Sequence, residues 1–416
     1  MKRDLFALSI AKSGEYSNLL IKRPEYGELV TFAKCRREPI YNWFYYKEGY
    51  SGELVWNLLR ELNIEKNSTV LDPFCGTGNT LLACKQMGYN AIGFDILPLS
   101  VFVSNTKLQE GYDLELLHEK IRDITRLKFG ETRLKWPDLK FIDIRKSFSR
   151  YARKDILFFK ERIMEIEDER IRNFMLLSLL SIVIPSSNIK RDGGVLKIVK
   201  KRHLPPVRYL FKNKLRRMYK DLKRAKPFPR GTVAEARLGD ARSLPLKPES
   251  VDACITSPPY LNWVDYTKVY GFELALLVGS EEIEVLRKRS IRSHVGAECR
   301  KRIRLNSNRI EEILDKISEK PGFVKHPQVV EGYFDDMYMS MRSIHRSLKE
   351  EGRVALVVGN VCLPDITIDT DLILAELAED IGFKVKEILV ANARWCDVYG
   401  IRKERPVRES ILIMEK

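Results

Sequence analysis

The chain has 416 residues, 73 Lys and Arg against 57 Asp and Glu, a formal net charge of +16 and 44% hydrophobic residues. With 31% charged residues and no long Ser/Gly/Pro tract, this composition supports a large buried core and excludes wholesale disorder. The longest apolar stretch, Met175–Pro185, is broken by Ser178 and Ser181, and Lys12 and Glu15 interrupt the first residues, so neither a membrane span of roughly 18–20 residues nor a secretory leader is expected, and a cytoplasmic protein without a membrane partner is.

In chain order, an aromatic cluster over Tyr41–Tyr50 precedes a helix from Ser51, a capping residue, to about Asn63, with Leu54, Val55, Leu58, Leu59 and Leu62 at helical spacing. Thr69–Phe74 reads as a strand, Asp72–Gly78 as a glycine turn, Thr80–Met87 as a helix and Asn90–Asp95 as a second strand, which together make a β-α-β unit. Residues 107–230 carry helical patterns with dense charge, among them an apolar helix over Ile171–Ile184 and another from Leu204-Pro205-Pro206 to about Ala225. Strands resume at Val233–Leu238, Val251–Ile255, Arg353–Val358, Lys384–Val390 and Glu409–Met414, with helices at Asp336–Leu348 and Asp371–Asp380. The expected fold is α/β, a Rossmann-like and mostly parallel seven-stranded sheet. Residues 1–106 form its first half, 107–230 a helical basic insertion, and 231–416 its second half with a smaller basic insertion at about 280–330.

The positive charge is local. Lys197–Arg230 holds 14 Lys and Arg against Asp221, net +13, and Arg287–Arg309 holds nine against Glu298, net +8, which leaves −5 for the rest. Aromatic and apolar residues interleave the first run, so it is not a low-complexity tail. Two such runs flanking a catalytic motif point to a polyanion such as nucleic acid, and Lys201, Arg202, Arg216 and Arg217 are its candidate contacts. Seven cysteines form no CxxC pair and the five histidines are scattered, so reduced thiols and no metal are expected. Only three glutamines beside heavy Lys, Arg and Glu usage lean towards a thermophilic source.

Two motifs carry chemistry. In Asp72-Pro73-Phe74-Cys75-Gly76-Thr77-Gly78 the glycines allow a sharp bend and close ligand approach, and Asp95 ends the next strand about 20 residues on, where an acid reaches ribose hydroxyls. Without a phosphate-loop lysine, a nucleoside lacking phosphates fits best. Ser257-Pro258-Pro259-Tyr260 follows an apolar strand directly. The prolines lack N–H donors, so carbonyls and the serine hydroxyl offer acceptors to an exocyclic amino group, and Tyr260 offers a ring for stacking a base.

The pair DPFCGTG and SPPY, with Leu261–Tyr266 continuing the second, resembles the class I S-adenosylmethionine-dependent amino-methyltransferases of cytosine N4 and adenine N6. The resemblance covers residues 41–106 and 233–275 well, 333–416 moderately, and the insertions hardly. It implies S-adenosylmethionine as cofactor, with Asp72, Phe74, Cys75, Gly76 and Gly78 around its methionine part. Asp95 would hold its ribose, Ile96 would pack on its adenine, and Asp240 with Ala241 would lie at the adenine amino group. Ser257, Pro258, Pro259 and Tyr260 would be catalytic; Tyr266 and Asp265 would meet substrate, although Asp265 could equally cap a helix. The serine resembles the cytosine-N4 members. The glycine turn precedes SPPY, as in RNA enzymes, and the basic insertion suits a folded RNA. The expectation is therefore an RNA cytidine-N4 methyltransferase of archaeal type acting on structured rRNA. A DNA N4-cytosine or N6-adenine enzyme is the alternative, and a nucleic-acid-binding protein with an inactive methyltransferase fold a further one.

Overall fold

A computed structural model describes residues 14–298, 307–319, 327–363, 366–398 and 401–416, together with 6, 9, 303 and 305. The strands are β1 (Leu20–Lys22), β2 (Thr69–Asp72), β3 (Asn90–Asp95), β4 (Ile189–Asp192), β5 (Val195–Ile198), β6 (Ala234–Leu238), β7 (Val251–Thr256), β8 (Leu348–Gly359), β9 (Val361–Cys362), β10 (Thr367–Ile368), β11 (Lys384–Val398) and β12 (Ile401–Glu415). Eight of them form one sheet in the order β1-β11-β12-β8-β7-β2-β3-β6. All neighbours are parallel except β12, which runs antiparallel to both β11 and β8. The sheet is thus the expected mostly parallel α/β sheet with one strand more than the seven expected, because β1 pairs with β11 through Leu20–Lys22.

Side chains alternate between two cores, as period-two strands with both faces covered must. On β2, Val70 enters one cluster and Leu71 the other; on β8, Ala355 and Val357 face the first, and Val354, Leu356 and Val358 the second. Helices α1 (Gly52–Glu61), α2 (Asn79–Met87) and α3 (Pro98–Leu108) cover the first face. Ser51 caps α1 by accepting from the Leu54 amide, and Leu54, Val55, Leu58 and Leu59 are fully buried. Each such burial stabilises by about 1.5–3 kcal/mol.

Residues 107–230 extend this same layer with α4 (Leu114–Arg126), α5 (Arg150–Met164), α6 (Glu169–Ser181) and α7 (Val207–Arg224). α6 packs on α3, and α7 seats Val207, Phe211, Leu215 and Met218 against α4, α5 and α6. Asp221, the single acid of the first basic run, accepts from Trp43 Nε1 at 3.0 Å and ties α7 to the aromatic segment. The region is not wholly helical: β4 and β5 form an antiparallel hairpin between α6 and α7.

The second face carries α12 (Pro327–Ser347) and α13 (Thr370–Ile381), and between β7 and α12 the chain adds α8 (Tyr266–Val269), α9 (Gly271–Val278), α10 (Glu281–Arg289) and α11 (Asn308–Ser318). α12 starts nine residues before the predicted Asp336, since Val329, Val330, Tyr333 and Phe334 also bury themselves against this face. β9 and β10 form a small ribbon beside it. Cys362 on β9 and Cys396 on β11 are joined by a disulfide, which corrects the expectation of reduced thiols for that pair; Cys35, Cys75, Cys84 and Cys254 are free and buried. Among the described residues no helix is long and apolar enough to cross a membrane.

Candidate active site

The two motifs, about 180 residues apart in the chain, meet because β2 and β7 are parallel neighbours, with Val70 opposite Ala253 and Leu71 opposite Cys254. Both strands end at the same edge, where α/β sheets bind ligands. Asp72 joins them: its Oδ1 accepts from Thr256 Oγ1 at 2.6 Å and from the Phe74 amide at 3.2 Å, and its Oδ2 accepts from Thr80 Oγ1 at 2.6 Å. Burial pushes the Asp72 carboxyl up to about 6 against these bonds.

The glycine turn is propped from below by α3. Ser104 Oγ donates to the Gly76 carbonyl at 3.0 Å, and Lys107, 1% exposed, donates to the Thr77 carbonyl at 2.9 Å. Burial lowers the Lys107 ammonium to about 7. Gly78 has φ +73°, and a Cβ there would lie 2.7 Å from Ser104 Oγ, so both conformation and space require glycine. Asp95 faces the turn, accepting from the Gly76 amide at 3.0 Å and the Leu97 amide at 2.8 Å; burial raises its carboxyl to about 7.

Between the glycine turn and Ser257–Tyr260 lies a cavity of about 410 Å³, within the range of small-molecule sites. Asp72, Phe74, Cys75, Gly76, Asp95, Ile96, Asp240 and Ala241 line one side, and Ser257, Pro258, Pro259, Tyr260 and Tyr266 the other. Gly78 lies behind the lining as the residue before α2. The aromatic segment closes the top: the Tyr46 ring stacks on Tyr270 at 4.6 Å and 19°, and lies 6.3 Å from Tyr266 at 25°. Tyr270 OH donates to Glu48 Oε2 at 2.6 Å and accepts from the Lys47 amide at 3.1 Å, fixing that segment over the turn. The chemistry of this lining suits S-adenosylmethionine: bare glycine backbone, an acid at the second strand end and apolar surface at Ile96.

Tyr260 is held at both ends. Its OH donates to Glu409 Oε1 on β12 at 2.9 Å, and its ring lies on Gly359, where a Cβ would come within 2.8 Å of Cε2. Burial pushes the Glu409 carboxyl up. Just beyond, Trp263 takes φ +60°, a strained conformation for a bulky residue and one that turns the chain back towards the cavity.

Asp265 is behind the lining. It caps α8 by accepting from the Lys268 amide, and Thr267 Oγ1 at 2.6 Å and Arg287 Nε at 2.7 Å also donate to it. Burial opposes its ionisation, but His294, Thr267 and Arg287 outweigh that and hold its carboxyl below the usual range. Asp240 lines the cavity with its carboxylate already clamped by Arg242, at 2.9 Å to Nε and 2.7 Å to Nη2. Lys201, Arg202, Arg216 and Arg217 do not line the cavity: the first two follow β5, and the other two lie on the exposed face of α7. In the Trp395–Arg408 stretch, β11 and β12 pair as a ribbon; Tyr399 and the side chains of Arg402 and Lys403 lie outside the described residues.

Sequence reasoning missed several lining residues. Segment 289–294 closes one wall, and a buried network holds it to α12: Arg242 Nη1 and Arg292 Nη2 donate to Asp336 at 3.0 and 2.8 Å. His294 in that wall has Nε2 2.9 Å from Ser290 Oγ and accepts the Gly296 amide on Nδ1 at 2.9 Å. Burial lowers the basicity of this imidazole, and the nearby Asp265 carboxylate opposes that. Glu409 and the hairpin tip Gly193-Gly194 complete the lining. Asp192-Gly193-Gly194-Val195 is a readable hairpin turn; nothing local marks the others. Among the described residues no group of His, Cys, Asp and Glu is placed to hold a metal.

The family model described as DNA methylase, for N6 and N4 amino-methyltransferases, matches residues 24–101. Type II methyltransferase M.BsoBI of Geobacillus stearothermophilus is 30% identical over 450 residues, 94% of this chain and 88% of that protein. Type II methyltransferase M.AvaI of Nostoc sp. is 28% identical over 407 residues, 87% of this chain and 83% of that one. Among solved structures, a SAM-dependent methyltransferase of Methanosarcina mazei superposes with a TM-score of 0.31 at 10% identity, over 86% of this chain and 96% of that one. These relatives give no support to the RNA expectation; the DNA alternative fits them better. The chain belongs to the amino-methyltransferase family of these type II methyltransferases, with S-adenosylmethionine as its cofactor.

Proposed function

We propose that this protein methylates the exocyclic N4 amino group of cytosine in duplex DNA. The observation that carries the reading is the placing of Ser257-Pro258-Pro259-Tyr260 across one cavity from the glycine turn, with serine as the first motif residue. The DNA part is supported by the family description and the type II relatives.

Asp72, Phe74, Cys75 and Gly76, on the turn that Gly78 shapes from behind, would surround the methionine part of the cofactor, Asp95 would accept from its ribose hydroxyls, and Ile96, Asp240 and Ala241 would form the adenine end. When bound, S-adenosylmethionine supplies an electrophilic sulfonium methyl. The chain's own task is alignment, since holding nucleophile, methyl and leaving sulfur in line can supply much of the acceleration. Ser257 Oγ and the Pro258 carbonyl accept the two N–H groups of the target amine, drawing the nitrogen out of conjugation, and Tyr260 stacks the base in the orientation that Glu409 sets. The excess proton leaves by Ser257 or water. A base still paired in a duplex does not reach this cavity, so the target must be flipped out.

The test is incubation with radiolabelled S-adenosylmethionine and either unmethylated genomic DNA or unmodified rRNA, followed by nucleoside digestion and mass spectrometry. N4-methyldeoxycytidine is expected. N6-methyldeoxyadenosine, or label confined to ribonucleosides, would overturn the assignment.

A further inference from the structure

The hairpin β4–β5 is rigid at its root, narrow at its tip and apolar where proteins are usually polar. At the root Ile189 is 1% exposed, and Arg191 Nε donates to the Val269 carbonyl at 3.1 Å. The same guanidinium pairs with the buried Glu273 at 2.5 Å and lies 4.3 Å over the ring of Tyr270, the ring that also stacks on Tyr46 in the cavity wall. The hairpin is therefore fixed to the same element as the cavity. At the tip, Gly193 has φ +58° as the first of two turn residues, and open space surrounds the place of its missing Cβ. Gly194 lies against Val264, where a Cβ would come within 3.0 Å of Cγ2. Both glycines line the cavity.

Pairing of Asp192 with Val195 and of Lys190 with Lys197 puts these four on one face, opposite Arg191 and Leu196. Val195 on that face is 54% exposed; Ile198, on the face of Arg191 and Leu196, and Val199 beyond the strand end are each 42% exposed. Lys190 and Lys197 are exposed on the face of Val195, Lys197 also pairing Asp192 at 2.6 Å, and Lys200 is exposed just beyond the strand. Exposed β-branched side chains interleaved with lysines, on a two-stranded ribbon ending at a cavity that needs an unpaired base, match one occupant best. A ribbon of this width enters the major groove, lysines meet phosphates, and an apolar side chain can take the place of a base removed from the stack.

We propose that the β4–β5 hairpin enters duplex DNA beside the cavity, with Val195 replacing the flipped target in the stack and Lys190 and Lys197 on the flanking phosphates. The role rests on the DNA reading above. Its test uses the full chain and two substrates. The target site is first mapped by sequencing DNA methylated by the wild-type protein; duplexes are then made with the target cytosine either correctly paired or opposite an abasic position. Val195→Ser is expected to lower kcat/KM about tenfold on the paired duplex but no more than about twofold on the abasic one, where little pairing energy remains to be replaced. Lys190→Ala with Lys197→Ala should weaken both substrates and reduce the salt dependence of binding. Calorimetric affinity for S-adenosylmethionine should be unchanged in both variants, which serves as the folding control. Equal loss on the two duplexes, or none on the paired one, overturns the hairpin's role and leaves the DNA reading standing; a wild-type protein that puts no methyl into DNA removes both. Loss of self-association in light scattering on Val195→Ser would instead assign the face to a second copy of the chain.

Discussion

Replacing Glu409 by Ala tests whether the proposed role of Tyr260 needs its ring held in one orientation. The Glu409 carboxyl accepts from Tyr260 OH at 2.9 Å, while Gly359 backs the ring without a side chain of its own. Loss of a hydrogen bond to a carboxylate is worth about 1.5–3 kcal/mol. If all of it serves to hold the ring, kcat/KM falls roughly 10- to 150-fold, at tenfold per 1.4 kcal/mol. Glu409→Gln keeps an acceptor oxygen in reach and should stay within about fivefold of the wild type on the same argument. Tyr260→Phe removes the donor instead, so the double variant Tyr260→Phe with Glu409→Ala should be no worse than either single one, the signature of two residues acting as a unit. The assay is steady-state methyl transfer to DNA at saturating cofactor, with cofactor affinity measured separately. A wild-type kcat/KM for Glu409→Ala would refute the reasoning, and so would a Glu409→Gln variant as poor as the alanine one, because charge rather than orientation would then be what matters.

Asp95 has its folded pKa raised by burial to about 7 from 3.8, so between about pH 4 and 7 the folded chain keeps a proton that the unfolded chain has lost. This contribution makes the cofactor-free protein lose stability as pH rises through that window, and Asp95→Asn should flatten the slope in urea titrations; an unchanged slope would contradict the assignment. Cofactor affinity should strengthen between pH 6 and 8 as the carboxylate forms, a trend that calorimetry should find missing in Asp95→Asn. Gly78→Ala should cost about 1–2 kcal/mol for the left-handed conformation and about 1–3 more for the contact with Ser104, seen as a lowered urea midpoint and weakened cofactor binding. Asp371 is fully buried and accepts from Arg408 Nε at 2.6 Å and Nη2 at 2.9 Å, so Asp371→Ala removes the two short bonds of a buried guanidinium, leaves it with Asp369 at 3.8 Å and the Ser9 carbonyl, and should destabilise by about 3 kcal/mol. Thermal melting at unchanged midpoint would show the pair to be dispensable.

The strands were legible where local pattern and burial agree. Val70 and Leu71, or Val354 through Val358, are continuous apolar runs because both faces of the sheet are covered, and such runs read clearly without neighbours. β1 was not legible, since three residues gain their strand identity only from pairing with β11, almost 370 positions away. The hairpin was lost among charged residues: Lys190, Arg191, Asp192 and Lys197 mask a strand alternation of only four residues on each side of Gly193-Gly194. Within the site, the two motifs carry their own residue signatures, whereas Lys107, Glu409 and segment 289–294 line or support it through long-range packing. Lys107 and Glu409 are charged residues in ordinary surroundings of sequence; only the fold shows that one is buried under the glycine turn and the other beside Tyr260. Asp265 had two readings on sequence grounds, and the capping one describes its place here.

The parallel contact between β2 and β7 has a consequence for how such chains relate to one another. Because the glycine turn and the Ser257–Tyr260 motif each leave the carboxyl end of their own strand, their meeting depends on strand adjacency and not on which is translated first. A circularly permuted chain, opened between β6 and β7 and rejoined elsewhere, would bring the same Asp72 to the same Thr256. Motif order is then a record of where a gene was cut, carrying ancestry but no chemistry, and it gives no ground for telling an RNA substrate from a DNA one.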